Sequence, residues 1–170
     1  MFKVEVIGAG GWGTALAHVA AENSNRTFLW ARRQELAEEI IRTGENKDYL
    51  PGAKISPKVN ISTDLKQVVS DADIVIVAVP SHAVRNMAKQ IRSFVKEDAI
   101  VTSATKGIEL GSLKRMSQVL EEELGNVKSH NIVALSGPSH AEEVIRKLPT
   151  AVVAASSEKL AAQRVQDALI

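Results

Sequence analysis

The chain of 170 residues contains no cysteine. Disulfides, thiolate metal ligands and a cysteine nucleophile are therefore excluded, and the composition suits a reducing cytoplasm. No strong charge of either sign is present. Lysine and arginine number 21 against 20 aspartates and glutamates, a net charge of +1. The chain as a whole thus offers no electrostatic case for binding nucleic acid or a membrane surface. No apolar run approaches the roughly 20 residues needed to span a bilayer. Lys3 and Glu5 interrupt the first apolar run, which argues against a signal peptide. What remains is 45% hydrophobic residues in a chain long enough for one domain with a substantial core.

The most informative stretch present is Gly8-Ala9-Gly10-Gly11-Trp12-Gly13. It follows an apolar run ending at Ile7 and opens into a segment rich in Ala and Leu. This reads as strand, glycine turn, helix. Gly8 permits the sharp turn, Gly10 lets backbone approach a pyrophosphate, and Gly13 lets the helix pack closely on the strand. Free N–H groups at the helix start, with about half a positive charge from the aligned peptide dipoles, favour an anion there.

Beyond the turn, apolar β-rich runs alternate with helical patterns. Asn23-Ser24-Asn25 ends the first helix, and Thr27 to Trp30 reads as a strand. Gln34 to Thr43 reads as a helix with Gly44 beyond its end. A weaker strand lies near Val59 to Ser62, and a short helix starts at Asp64. Ile74 to Val79 is a continuous apolar run, typical of a strand buried on both faces. Pro80 stops it, and Ser81 is the expected cap of a helix running to about Phe94. Ala99 to Ser103 is a fifth strand. Leu113, Met116, Leu120 and Leu124 form a helical stripe closed by Gly125. Ile132 to Leu135 is a sixth strand, Ala151 to Ala155 a seventh, and a last helix follows from Glu158. The alternation predicts an α/β fold with a doubly wound, mostly parallel, Rossmann-like sheet and helices on both faces.

NAD-binding folds of this kind place an Asp or Glu about 20 residues after the glycines, where it holds the ribose 2′-hydroxyl. Here the end of the second strand reads Trp30-Ala31-Arg32-Arg33, without an acid. Two guanidinium groups suit a 2′-phosphate through their planar forks of donors. NADP(H) is therefore the expected preference, with NAD(H) as the alternative.

Ligands of such sheets bind beyond the carboxyl ends of the strands. Three segments fall there: Val79-Pro80-Ser81-His82, Ala104-Thr105-Lys106-Gly107 and Ser136-Gly137-Pro138-Ser139. Lys106 is the best candidate for an anionic or carbonyl substrate. Ser139-His140 lacks the GxSxG elbow of a nucleophile, so Ser136 or Ser139 reads better as a helix cap or an anion-binding hydroxyl. His82 is either a proton donor or a solvated helix-start residue. His18 and His130 have no local partner, and four scattered histidines predict no metal site. Asp71 and Asp73 read as turn residues, and Tyr49 lines the cleft or covers its loop.

Taken together, these segments resemble the bacterial NAD(P)-dependent glycerol-3-phosphate dehydrogenases. The resemblance rests on Gly8 to Ala17, Leu29-Trp30-Ala31-Arg32-Arg33, Tyr49-Leu50-Pro51-Gly52, Val79-Pro80-Ser81-His82, Ala104-Thr105-Lys106-Gly107-Ile108-Glu109 and Ser136-Gly137-Pro138-Ser139-His140-Ala141. It implies a cytoplasmic oxidoreductase that interconverts dihydroxyacetone phosphate and sn-glycerol 3-phosphate for phospholipid synthesis, with a homodimer as its expected assembly. By motif it assigns cofactor contacts to Gly11, Trp12, Arg32, Arg33, Tyr49, Lys106 and Ala141, which join Gly8, Gly10 and Gly13 of the glycine turn as the expected cofactor site. Lys106, Gly137 and Ser139 fall on the substrate side. Position 11 is often Ser in this family, whereas here it is Gly. The family also carries a helical C-terminal domain of comparable size with the catalytic lysine. Residues 1–170 are thus expected to be its dinucleotide-binding domain, with no catalytic residue of their own, weak NADPH binding and little turnover. The competing expectations are a nucleotide-sensing module without chemistry and another two-domain hydroxyacid or keto reductase.

Overall fold

The computed structural model describes residues 1–170, except for the side chain of His130, whose expected isolation lies outside the described residues. Seven strands form one sheet: β1 (Lys3–Ile7), β2 (Arg26–Trp30), β3 (Val59–Ser62), β4 (Ile74–Val77), β5 (Ile100–Ser103), β6 (Ile132–Ser136) and β7 (Val153–Ala155). Their spatial order is β3-β2-β1-β4-β5-β6-β7. Every neighbouring pair is parallel except β6 and β7. The chain winds outward from β1 in one direction and from β4 in the other. A topological break therefore falls between β1 and β4, where sheets of this kind open a crevice.

Among the described residues seven α-helices cover the sheet: α1 (Gly11–Glu22), α2 (Gln34–Thr43), α3 (Leu65–Val69), α4 (Ser81–Ile91), α5 (Met116–Glu123), α6 (Ala141–Ile145) and α7 (Lys159–Leu169). Side chains alternate across each strand, so one sheet supplies two cores. Val4, Val6, Ile74 and Ile76 pack with α1, α2, α6 and α7. Val75, Val77 and Val101 pack with α3, α4 and α5. The four central strand residues Ile74–Val77 are fully buried, which explains their unbroken apolar run. In α1, Ala15, Ala17, Ala20 and Ala21 are all inaccessible to solvent. Small side chains let this helix lie close to both the sheet and α6.

Local signals account for several boundaries. Asp64 caps α3 by accepting from the Gln67 N–H at 3.0 Å, a contact of about 1 kcal/mol. Gly44 ends α2 at φ +65°, a left-handed conformation that glycine adopts without strain. Asn25 does more than stop α1. Its side chain is buried, accepts from the Phe2 N–H (2.9 Å), and donates to the carbonyls of Ala20 (3.1 Å) and Ala168 (2.9 Å). It thereby pins the last helix to the residue that leads into the first strand.

Four expectations are corrected. Ser81 is the first residue of α4 rather than its cap, because Pro80 already holds the extended backbone at that end. Leu113 lies outside α5, in a left-handed turn at φ +58°, and is 70% exposed. Ser139 does not cap α6 either. His140 occupies the cap position, while the Ser139 hydroxyl donates to the Gly137 carbonyl at 3.3 Å. The seventh strand is shorter than expected and antiparallel. The chain returns from β6 at the same end of the sheet, so Val153 pairs with Ser136. A Cβ on Gly137 would stand 2.4 Å from the Ala151 carbonyl oxygen, so this return requires glycine.

Candidate functional site

Beyond the carboxyl ends of β1, β2 and β4 lies a crevice of about 290 Å³. Its floor is Gly8, Ala9 and Gly10, and Ala78 to Pro80 form one wall. Arg32, Arg33 and Tyr49 stand at its mouth, and His82 from the first turn of α4 faces it. Two roomier hollows, of about 360 and 630 Å³, contain no residue of Gly8–Gly10 and neither arginine. Volume alone would favour them. The position at the break between β1 and β4 favours the smaller crevice.

The glycines form this crevice in separate ways. Gly8 has φ +114°, and a Cβ there would lie 2.6 Å from the Ala78 carbonyl oxygen. A Cβ on Gly13 would lie 1.9 Å from the Gly8 carbonyl oxygen, so helix and strand touch backbone to backbone. Gly10 borders open space, with nothing within 4 Å of a Cβ built on it. The first N–H of α1 with a partner is that of Thr14, which donates to the Gly10 carbonyl at 3.0 Å. Those of Gly11, Trp12 and Gly13 have none among the described residues. Unpaired donors at a helix start beside a side-chain-free backbone are the arrangement that suits an anion.

A buried amide holds the next part of the site against this turn. Asn46 is wholly buried and donates to the Ala9 carbonyl (3.0 Å) and the Thr14 hydroxyl (2.8 Å). The Leu50 N–H returns to the Asn46 carbonyl at 2.8 Å. The loop carrying Tyr49 is thus clamped to the glycine turn. Its Tyr49 carbonyl comes so close to Gly11 that a Cβ there would be 2.8 Å away. Nothing in the local sequence around Asn46 announces this role, because its partners are over 30 residues away.

The two arginines differ. Arg33 Nη2 donates to Asp48 Oδ2 at 2.5 Å, and its guanidinium lies 5.8 Å from the centre of the Tyr49 ring. Asp48 holds the Arg33 pKa above its ordinary value through this hydrogen bond. Arg32 forms no ion pair among the described residues. An acid therefore pairs with an arginine that lines the crevice, supplied by the loop after α2 rather than by the end of β2.

The substrate-side candidates form a second group. Lys106 Nζ donates to the Gly137 carbonyl at 2.9 Å, which joins the loops after β5 and β6. Ser139 lies in the same loop. Gly11 and Ala141 meet between the two groups, with a Cβ on Gly11 only 3.6 Å from that of Ala141. Trp12 is divided. Its backbone belongs to the start of α1, but its side chain lines the hollow between α1 and α6 together with Val144. The loop bearing Lys106 is fixed by Thr105, whose hydroxyl donates to the Val79 carbonyl at 2.7 Å. It is further fixed by Glu109, which receives Arg85 through two donors at 2.7 Å each. Glu122 and Glu123 of α5 also pair with Arg85. That cluster draws the Glu109 carboxyl pKa down to about 2, chiefly through Arg85.

The family model for the N-terminal part of NAD-dependent glycerol-3-phosphate dehydrogenase matches residues 3–162. A glycerol-3-phosphate dehydrogenase [NAD(P)+] from Bacillus subtilis strain 168 is 48% identical over 170 residues, covering 100% of this chain and 49% of that protein. One from Moorella thermoacetica is 47% identical over 165 residues, covering 97% and 48%. Among solved structures, the glycerol-3-phosphate dehydrogenase of Coxiella burnetii superposes with a TM-score of 0.91 at 30% identity, covering 99% of this chain and 51% of that one. The chain spans about half the length of the curated relatives it matches.

Proposed function

Because this chain belongs to the family of NAD-dependent glycerol-3-phosphate dehydrogenases through their N-terminal part, we propose that it is the dinucleotide-binding domain of such an enzyme. The reaction is the interconversion of dihydroxyacetone phosphate and sn-glycerol 3-phosphate with NAD(P)H, in the cytoplasm, toward phospholipid synthesis. The observation that carries this reading is the glycine turn at the break between β1 and β4, whose Gly8, Ala9 and Gly10 line a crevice at the carboxyl ends of the strands and lead directly into the unpaired helix-start donors.

The residues present fit a dinucleotide. The N–H groups of Gly11, Trp12 and Gly13 would hold the pyrophosphate, and the open space over Gly10 would admit it. Arg32, Arg33 and Tyr49 would receive the adenosine end, with the free guanidinium of Arg32 directed to a 2′-phosphate. When bound, the nicotinamide supplies the hydride. Lys106 brings a positive charge to the edge of the cleft, where it would orient a phosphorylated ketone through its oxygen atoms. The Gly137 carbonyl accepts from both Lys106 and the Ser139 hydroxyl, which gathers these polar groups at that edge. No helix is long and apolar enough to cross a membrane among the described residues.

The proposal is tested by fluorescence titration of this polypeptide with NADPH and NADH. Both should bind, NADPH more tightly, and Arg32→Ala should weaken NADPH about tenfold while changing NADH little. An NADPH preference that survives Arg32→Ala combined with Arg33→Ala, or no preference at all in the parent, contradicts the cofactor assignment.

A further inference from the structure

We propose that Asp48 sets the balance between the two dinucleotides, by competing with a 2′-phosphate for the Arg33 guanidinium and by offering its carboxylate to a 2′-hydroxyl. The inference rests on the dinucleotide reading of the crevice and goes beyond it, to a residue that the glycine and arginine motifs do not include.

Three observations support it. The Asp48 carboxylate and the Arg33 guanidinium are paired at 2.5 Å, yet each side chain is 46% exposed. The pair is accessible to a ligand and not sealed in the core. Arg33 also stands over the Tyr49 ring at 5.8 Å, which keeps the guanidinium at the mouth of the crevice when its partner changes. Finally, Asp48 is not on a free loop. Asn46, two residues before it, is bound to the glycine turn, and Leu50, two residues after it, is 2% exposed. The carboxylate is therefore held at a set place relative to the backbone that would cradle the pyrophosphate.

The chemistry follows from charge. A 2′-phosphate carries between one and two negative charges at neutral pH and calls for two free guanidinium groups. Asp48 occupies one of the two and places its own negative charge nearby, which disfavours the phosphate. A ribose 2′-hydroxyl instead calls for an acceptor, the service an acid at the end of the second strand renders in NAD-selective folds. Asp48 is such an acceptor, brought beside Arg33 by the loop after α2. A single pair, Arg33 with Asp48, thus suits the site to either cofactor. With NADH the pair stays closed, and with NADPH Arg33 turns from the carboxylate to the phosphate.

The test is a titration of the 170-residue chain with NADPH and with NADH at low ionic strength, for the parent, Asp48→Asn, Arg33→Ala and the double variant. Asp48→Asn should tighten NADPH by at least about twofold, the scale of one exposed ion pair, and should weaken NADH or leave it unchanged. The NADPH gain should shrink as salt is raised. It should vanish on the Arg33→Ala background, because the carboxylate acts through that guanidinium. An unchanged NADPH to NADH ratio overturns the proposal. Equal weakening of both cofactors also overturns it, since that outcome reports a role in shaping the loop alone. Failure of the parent chain to bind either dinucleotide overturns the underlying reading, and is distinguished by being independent of residue 48.

Discussion

Gly13 packs against Gly8 so closely that a single added methyl group would stand 1.9 Å from the Gly8 carbonyl oxygen. Gly10, between them, faces nothing within 4 Å. Two glycines of one motif therefore answer to different demands. Gly13→Ala should destabilise the fold by about 3 kcal/mol, because backbone cannot move aside as a flexible side chain would. Gly10→Ala should cost only about 1 kcal/mol, since φ −78° and ψ 178° are open to alanine. It should nevertheless abolish NADPH binding by filling the approach to the helix start. Chemical denaturation and a cofactor titration of each variant separate the two effects.

Asn46 links the Tyr49 loop to the glycine turn from a wholly buried position. Asn46→Ala leaves the Ala9 carbonyl and the Thr14 hydroxyl without that donor. A loss of about 1–3 kcal/mol is expected from denaturation curves. Weaker binding of NADPH and NADH alike should accompany it, because the loop bearing Asp48 and Tyr49 loses its anchor.

Glu5 is a buried carboxylate in the middle of β1, and burial pushes its pKa up to about 7. Its Oε2 accepts from the Phe28 N–H at 3.1 Å. The folded state therefore binds the proton more tightly than the unfolded chain does. Stability from this group is complete below about pH 4.5 and is lost as pH rises through about 7. Glu5→Gln keeps an acceptor for Phe28 and removes the charge. At pH 8 the variant should be more stable than the parent by about 3 kcal/mol, and at pH 4 the two should converge. Urea melts at the two pH values provide the comparison.

Arg85 gathers Glu109, Glu122 and Glu123, and so ties the loop of Lys106 to α4 and α5. Arg85→Leu should leave the sheet intact but loosen residues 104–115. Limited trypsin digestion should then cleave at Lys106, Lys114 and Arg115 faster than in the parent, with the circular dichroism spectrum unchanged. An unaltered cleavage pattern would mean that Thr105, Lys106 and the pairing of Ile108 with Arg115 hold this loop without Arg85.

The elements that were legible in sequence are those governed by neighbours along the chain. Gln34–Thr43 was read to its ends because Gly44 supplies the left-handed stop. The glycine turn is equally plain, and the buried strand from Ile74 is legible too, although it ends at Val77, two residues before the apolar run does. What escaped depends on partners far along the chain. Leu113 continued an apolar stripe by spacing, yet the pairing of Ile108 with Arg115 turns the backbone before α5 begins. The reversal of β7 is set by where the chain re-enters beside Ser136, which no periodicity encodes. At the site, Arg32 and Arg33 looked equivalent in sequence. Only the fold brings Asp48 to one of them and leaves the other free.

The central claim is that the backbone turn at residues 8–13 holds the diphosphate of a dinucleotide. Backbone amide chemical-shift mapping of this chain during an NADPH titration tests it most directly. The largest perturbations should fall at Gly10 to Gly13, Arg32, Arg33 and Tyr49. Perturbations centred instead on His18, Val144 and Leu169, in the hollow between α1, α6 and α7, would contradict it.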